Sequence, residues 1–241
     1  DEEEIKVRFE KTNYFLSEIL KCHNKKLCNL FESDLDYTAV NHSVNMSALC
    51  VNIYTRKDEL LNTVNSLKDN KKSFLTEEDL EKAKELVETI GNMDPLVIGQ
   101  AGLFHDLGKA RDKELFSFDG KFSDEQKEKM KKHPKDSVDL LRICGIINST
   151  ILSAAYNHHR RADGTGYPEL DPEFPLTEFD LLVGIIDSFE AMTSAARGYK
   201  AHLTKTEALL KLKKEIEDNP SNPIFPKHIF LVFLLSLAKD S

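Results

Sequence analysis

Cysteine is scarce in this chain: Cys22, Cys28, Cys50 and Cys144 are the only four in 241 residues. They are too few and too scattered for a disulfide framework, and point to a reducing, cytoplasmic setting. Long hydrophobic runs are missing as well. The most apolar stretch, Ile229 to Ala238, is ten residues with one serine, too short to cross a bilayer, so no membrane segment is expected. The chain opens Asp1-Glu2-Glu3-Glu4 without a basic, apolar leader, so no secretory signal is read. It also lacks an initiator Met, as a piece of something longer would. Blocks of one charge are absent. The net charge of −8 is spread over interspersed acidic and basic residues, which leaves no strong field for duplex nucleic acid and makes an anionic substrate depend on local cations. No internal repeat and no β-hairpin signal is found.

What the chain has is helical periodicity and enough apolar residues, 40%, to build a core, so the fold class is all-α. Residues 1–34 read as a lead-in helical segment, with Ile5, Phe9, Phe15, Leu16, Ile19 and Leu20 recurring at helical spacing. Within it, Cys22-His23 and Cys28 match no common zinc spacing. Residues 35–241 read as one domain, starting with a helix from about Asp36 to Tyr54 that carries His42. The charged stretch at about 58–92 is expected to form a solvated excursion of two helices, the second capped at Thr76. Asp94-Pro95 opens an apolar helix ending in His105-Asp106-Leu107-Gly108-Lys109, with Gly108 at its exit. Apolar nearly all round, that helix is central, and two ionisable residues at its buried end require partners. His133 precedes Pro134 and is expected in extended geometry. Further helices cover Asp136 to Cys144, Ile146 to Tyr156, Phe179 to Ala196 with Asp187 beside its apolar stripe, and Thr204 to Glu217. Pro226 starts a last one.

The stretch Tyr156-Asn157-His158-His159-Arg160-Arg161-Ala162-Asp163-Gly164-Thr165-Gly166-Tyr167-Pro168 joins two histidines to a glycine-rich turn that presents Tyr167 on a stiff loop. About 100° apart on a helix, His158 and His159 can face two different metal ions. Alone, the stretch reads equally as an ordinary turn with two solvated histidines. Five imidazoles at element boundaries (His42, His105, His133, His158, His159) and two carboxylates (Asp106, Asp187) tip the balance. They suffice for two first-row metal ions if one carboxylate bridges, and N and O ligands without thiolate suit Fe or Mn, with Zn also open.

The order His42, His105-Asp106-x-Gly108-Lys109, His133-Pro134, His158-His159, Asp163-Gly164-x-Gly166-Tyr167-Pro168 and Asp187-Ser188-Phe189-Glu190-Ala191-Met192-Thr193 resembles the HD-GYP family. That family is a branch of the HD-domain metal phosphohydrolases. The resemblance spans roughly Thr38 to Lys200. It implies a helical bundle around a multinuclear metal site, and hydrolysis of the bacterial messenger cyclic di-GMP to a linear dinucleotide or GMP. It further implies His42, His105, Asp106, His133, His158, His159 and Asp187 as ligands of two divalent ions, with Asp106 bridging. Lys109 would stabilise developing charge, and Tyr167, Arg197 and Lys200 would meet the substrate. Diguanylate cyclase domains are the partners it implies for the Gly166-Tyr167-Pro168 loop.

The chain departs from the family pattern at named positions. Arg160 stands where Glu usually follows the paired histidines, and Thr38 where three-metal members carry a carboxylate. The step from Thr193 to Arg197 is one residue longer than usual, Gly198 replaces a common Pro, and the interval from His42 to His105 is long. A module that binds cyclic di-GMP or partner proteins with little turnover, and a phosphohydrolase for another nucleotide, are the alternatives.

Overall fold

The structure, a computed structural model, describes residues 39–67, 74–112, 122–194 and 202–238. The lead-in segment with Cys22, His23 and Cys28 lies outside these residues. So do Thr38, Arg197, Gly198 and Lys200.

Among the described residues the chain forms α-helices and one 3-10 helix, with no strand. The helices are α1 (Ala39–Thr55), α2 (Lys57–Ser66), α3 (Glu77–Gly91), α4 (Pro95–Phe104), the 3-10 helix Leu107–Arg111, α5 (Asp124–Met130), α6 (His133–Ile143), α7 (Ser149–Asn157), α8 (Glu178–Thr193), α9 (Lys205–Glu217) and α10 (Lys227–Leu237). None of them is long and apolar enough to cross a membrane.

Local chemistry explains where most of these begin. At α3 the Thr76 hydroxyl accepts from the Asp79 amide, and the Asp79 carboxylate accepts from the Thr76 amide. At α4, Asp94 accepts from the Leu96 amide and Pro95 supplies a first-turn φ. At α8 the Thr177–Asp180 pair repeats the reciprocal cap.

Two clusters form the interior. The larger draws on α1, α2, α3, α4, α8, α9 and α10, with Met46, Ile53, Leu86, Ile185, Ile186 and Phe233 fully covered. Each such side chain contributes roughly 1.5–3 kcal/mol by leaving water. The smaller joins Leu103 and Phe104 of α4 to Val138 and Leu141 of α6, to α7, and to Phe174 stacked on Tyr156. Between the clusters runs α4, whose C-terminal end delivers His105 and Asp106 to the middle of the protein.

The described parts of the stretch at 58–92, residues 58–67 and 74–92, pack on the core rather than standing off from it. Leu60 and Val64 of α2 and Leu80, Ala83, Leu86, Val87 and Ile90 of α3 are buried in the larger cluster. Among the described residues its charges lie on the outer faces of α2 and α3, so composition concealed two amphipathic faces that belong to the core.

Candidate metal centre

His105 is fully buried and caps α4, and Asp106 follows it just before the 3-10 helix. Gly108 is needed here for space rather than for a helix exit. It has no positive φ, and a Cβ at this position would lie 2.1 Å from the His133 carbonyl oxygen and 2.5 Å from the Ser137 nitrogen. The start of α6 therefore presses on the 3-10 helix. The Ser137 hydroxyl completes the joint by accepting from the Gly108 amide (2.7 Å) and donating to the His105 carbonyl (3.0 Å).

His133 does not sit in extended backbone as expected ahead of a proline; it opens α6. Its imidazole is buried and its Nδ1–H donates to the Met130 carbonyl (2.6 Å). That local bond and the approach of His158, whose Nε2 lies 3.1 Å from the His133 Nε2, outweigh the pre-proline preference. The end of α7 is held to the start of α8 by Asp180, which accepts from Ser153 (2.8 Å) and from the Asn157 side chain (3.1 Å). Burial pushes the Asp180 carboxyl up from its usual range.

His158 and His159 then leave the helix together. Their ring centroids are 4.2 Å apart, and both converge on one group of ligand atoms instead of facing apart. α7 ends at Asn157 and the pair occupies the turn that follows, where His158 keeps right-handed helical dihedrals and its amide donates to the Ala154 carbonyl (3.1 Å).

The ligand-type atoms fall into two groups, Asp106, His133, His158 and His159 in one, and His42, His105 and Asp187 in the other, each within 4.8 Å of one another. Asp106 faces both. Its Oδ1 lies 3.0 Å from His133 Nε2 and 3.5 Å from His158 Nε2, and its Oδ2 lies 3.4 Å from His42 Nε2 and 3.5 Å from His105 Nε2. Lys109 makes an ion pair with that second oxygen. Asp187, on α8, stands 3.4 Å from His42 Nε2 and 3.8 Å from His159 Nδ1.

The protonation of the rings follows from their outer partners. Backbone carbonyls only accept, so Nδ1 carries hydrogen in His105 (to Gly102, 2.8 Å), His133 (to Met130) and His158 (to Ala155, 3.0 Å). In a neutral ring Nε2 is then a bare lone pair, yet His133 Nε2 and His158 Nε2 are 3.1 Å apart and Asp106 Oδ1 accepts no hydrogen bond. Burial, with His105 and His133 close by, pushes His158 down to about 4, and burial beside His158 holds His159 well below the usual histidine value. Neutral His158 and His159 beside a buried, unsatisfied carboxylate oxygen fit a divalent cation at their centre.

On the other side burial would push His42 down, but Asp106, Asp187 and Glu190 overcome it and hold its pKa well above the usual value. Burial opposes the charge on Asp106 too. Lys109, His105 and His133 nevertheless keep its carboxyl well below the ordinary range, and His105 and His42 do the same for Asp187.

The Tyr167 ring tilts against His159 at 4.6 Å between centroids and meets His133 edge-on at 6.2 Å. Burial, with Asp106 and Asp187 nearby, pushes its phenol up, so the hydroxyl stays protonated. The loop beneath closes through a bridge between Arg160 and Gly166. Gly166 has φ +91°, and a Cβ there would lie 2.1 Å from the His159 carbonyl oxygen. Arg160 is buried, and its guanidinium donates to the Pro168 carbonyl. No described carboxylate pairs with it, so the departure from the family's usual Glu serves the loop. Arg160→Ala is expected to lower stability by about 1–3 kcal/mol, read as a drop in thermal midpoint, while metal content stays at the wild-type level.

Sequence reading missed Glu190, buried one turn beyond Asp187 on α8, where its carboxylate meets His42 Nδ1 at 2.5 Å. The spacing Asp187-x-x-Glu190 on an apolar helix was the available signal. It also missed Arg161, whose guanidinium donates to the His158 and Arg160 carbonyls and to Ser188, over the Phe225 ring.

A helical domain in which a His-Asp pair ends a buried helix and histidines from neighbouring elements converge on it is an HD-type metal-binding domain. Residues 62–219 match the family described as HD domain, and the chain belongs to that family. HD domains bind divalent metals. The chain is similar to the cyclic di-GMP phosphodiesterase PA4108 of Pseudomonas aeruginosa (31% identity, 49% of this chain, 29% of the relative). It is also similar to a cyclic di-GMP phosphodiesterase of Thermotoga maritima (32%, 66% of this chain, 50% of the relative). A third relative is the 3'3'-cGAMP-specific phosphodiesterase 1 of Vibrio cholerae (29%, 56% and 30%). The chain thus spans between about a third and a half of the curated relatives it matches. Among solved structures, the HDG"Y"P protein Bd1817 of Bdellovibrio bacteriovorus shares the fold, with a TM-score of 0.56 at 15% identity, covering 98% of this chain and 64% of that one.

Proposed function

We propose that this domain is a metal-dependent phosphodiesterase that hydrolyses cyclic di-GMP to a linear dinucleotide or GMP. The observation that carries the reading is the pair of ligand groups sharing the two oxygens of Asp106. In it His42, His105 and Asp187 would hold one divalent ion, His133, His158 and His159 the other, and Asp106 both. Fe or Mn suits these N and O donors. A bound pair of such ions supplies Lewis acidity toward the phosphodiester and an activated water for in-line attack.

The chain's own residues do the rest. Asp106 and Asp187 stay ionised, and His158 and His159 stay neutral, so the centre is a ready acceptor for cations. The Lys109 ammonium, beside Asp106, supplies positive charge where a phosphoryl group gains negative charge. Tyr167 offers a protonated hydroxyl from the rim. Arg197 and Lys200 are the further substrate cations we propose, and the exposed Gly164, Thr165 and Gly166 leave the loop open to diguanylate cyclase domains. The sparse cysteines support a cytoplasmic setting.

The substrate class rests on the relatives' names, two of which specify cyclic di-GMP and one 3'3'-cGAMP. The Vibrio relative favours a second reading, in which a mixed cyclic dinucleotide is the better substrate.

The test is hydrolysis by protein loaded with Mn2+ or Fe2+, followed by chromatography of cyclic di-GMP and 3'3'-cGAMP. Conversion of cyclic di-GMP is expected. Metal-loaded protein that leaves both intact defeats the proposal, and faster loss of 3'3'-cGAMP selects the second reading. Metal must also displace the proton that His42 holds in the metal-free protein. Because that pKa is raised, affinity for Mn2+ should weaken as pH falls below it and strengthen as pH rises.

A further inference from the structure

Three of the four imidazoles that turn Nε2 toward the centre are anchored by backbone carbonyls: Gly102 for His105, Met130 for His133, and Ala155 for His158. Those anchors come with the helices. His42 differs, because its Nδ1 meets a side chain, the Glu190 carboxylate, at 2.5 Å. The other oxygen of that carboxylate accepts from the Asn45 side chain at 3.0 Å. Asn45 is one turn beyond His42 on α1, so one helix grips both oxygens of a buried residue supplied by α8. Glu190 and Asp187 are three residues apart on α8, and they reach His42 from opposite ends of its ring: Glu190 at Nδ1, Asp187 Oδ1 at 3.4 Å from Nε2. Glu190 makes no ion pair with any lysine or arginine among the described residues.

We infer that Glu190 is a positioning residue for the metal centre: gripped by Asn45, it fixes the His42 ring with Nε2 toward His105 and Asp187 and strengthens binding at that one position. This rests on the metal-centre reading above. A carboxylate behind an imidazole fixes its tautomer and orientation and makes it a stronger ligand, and losing such a partner typically weakens metal binding by about 10–100-fold. Among the described residues no such carboxylate stands behind the rings of His133 and His158, which are anchored by backbone carbonyls, so the effect should be confined to one position of two.

The experiment titrates metal-free wild type, Glu190→Gln and Asn45→Ala with Mn2+, following stoichiometry by calorimetry and the bound ion by electron paramagnetic resonance. Wild type is expected to take up two ions and show a spin-coupled spectrum. Glu190→Gln should bind one ion as wild type does and the other about 10–100-fold more weakly, so that one equivalent of Mn2+ gives an uncoupled signal. Asn45→Ala keeps the carboxylate but frees one oxygen. It should shift the same position in the same direction by less, and it carries the test if Glu190→Gln loses helicity.

Equal loss at both positions would mean a merely structural role, and two wild-type affinities in both variants would overturn the inference. Two ions in wild type without hydrolysis would defeat the functional reading alone. A wild type that does not bind a second ion would overturn the metal-centre reading and this inference with it.

Discussion

Asp106→Asn is expected to reduce bound metal from two ions to one or none, and to lower hydrolysis of the cyclic dinucleotide at least about a thousandfold, or about 4 kcal/mol of barrier. The reason is geometric and electrostatic together. One oxygen of Asp106 faces His133 and His158 and the other faces His42 and His105, so a single carboxylate serves both groups. An amide has only one acceptor oxygen and no charge to offset two cations. The rest of the centre would stay in place, since the Nδ1 anchors of His105, His133 and His158 do not involve Asp106. Metal analysis and circular dichroism of the purified variant check this. Two ions and wild-type turnover would refute a shared role for Asp106.

Gly108→Ala should be strongly destabilising. The new carbon would lie 2.1 Å from the His133 carbonyl oxygen and 2.5 Å from the Ser137 nitrogen, both backbone atoms that cannot rotate away. The first turn of α6 must then move off the 3-10 helix, carrying His133 with it. Overpacking of this kind costs about 3 kcal/mol or more. Denaturant unfolding should show the unfolding free energy lowered by that amount. Because the displaced residue is His133, binding at its own metal position should weaken as well. A variant with wild-type stability would mean that α6 and the 3-10 helix have room that the backbone contacts do not show.

These two predictions depend on different kinds of information. That Asp106 and Gly108 matter could be anticipated from the chain, because His105-Asp106-x-Gly108-Lys109 follows a helix too apolar to be anywhere but inside. Why each matters was less accessible. Gly108 suits a helix exit by local rules, whereas its actual constraint is the approach of a residue 25 positions away in the sequence. Arg160 looked like a cation beside a metal site, yet it is turned to the Pro168 carbonyl. His158 and His159 could face two different ions by their helical spacing, whereas their ligand atoms fall in one group.

The sequence by itself determined the all-α class, the cap at Thr76, the helix start at Asp94-Pro95, and the residue types assembled at the centre. Helix periodicity and capping act over three or four residues, so they are written locally. Only the tertiary structure decided that the charged stretch joins the core, that the oxygens of Asp106 divide between two groups, and that Glu190 holds His42 across 148 residues of chain. Those facts depend on where side chains point after the helices pack. A local pattern carries a residue's face on its helix but not the neighbour that will occupy the space opposite.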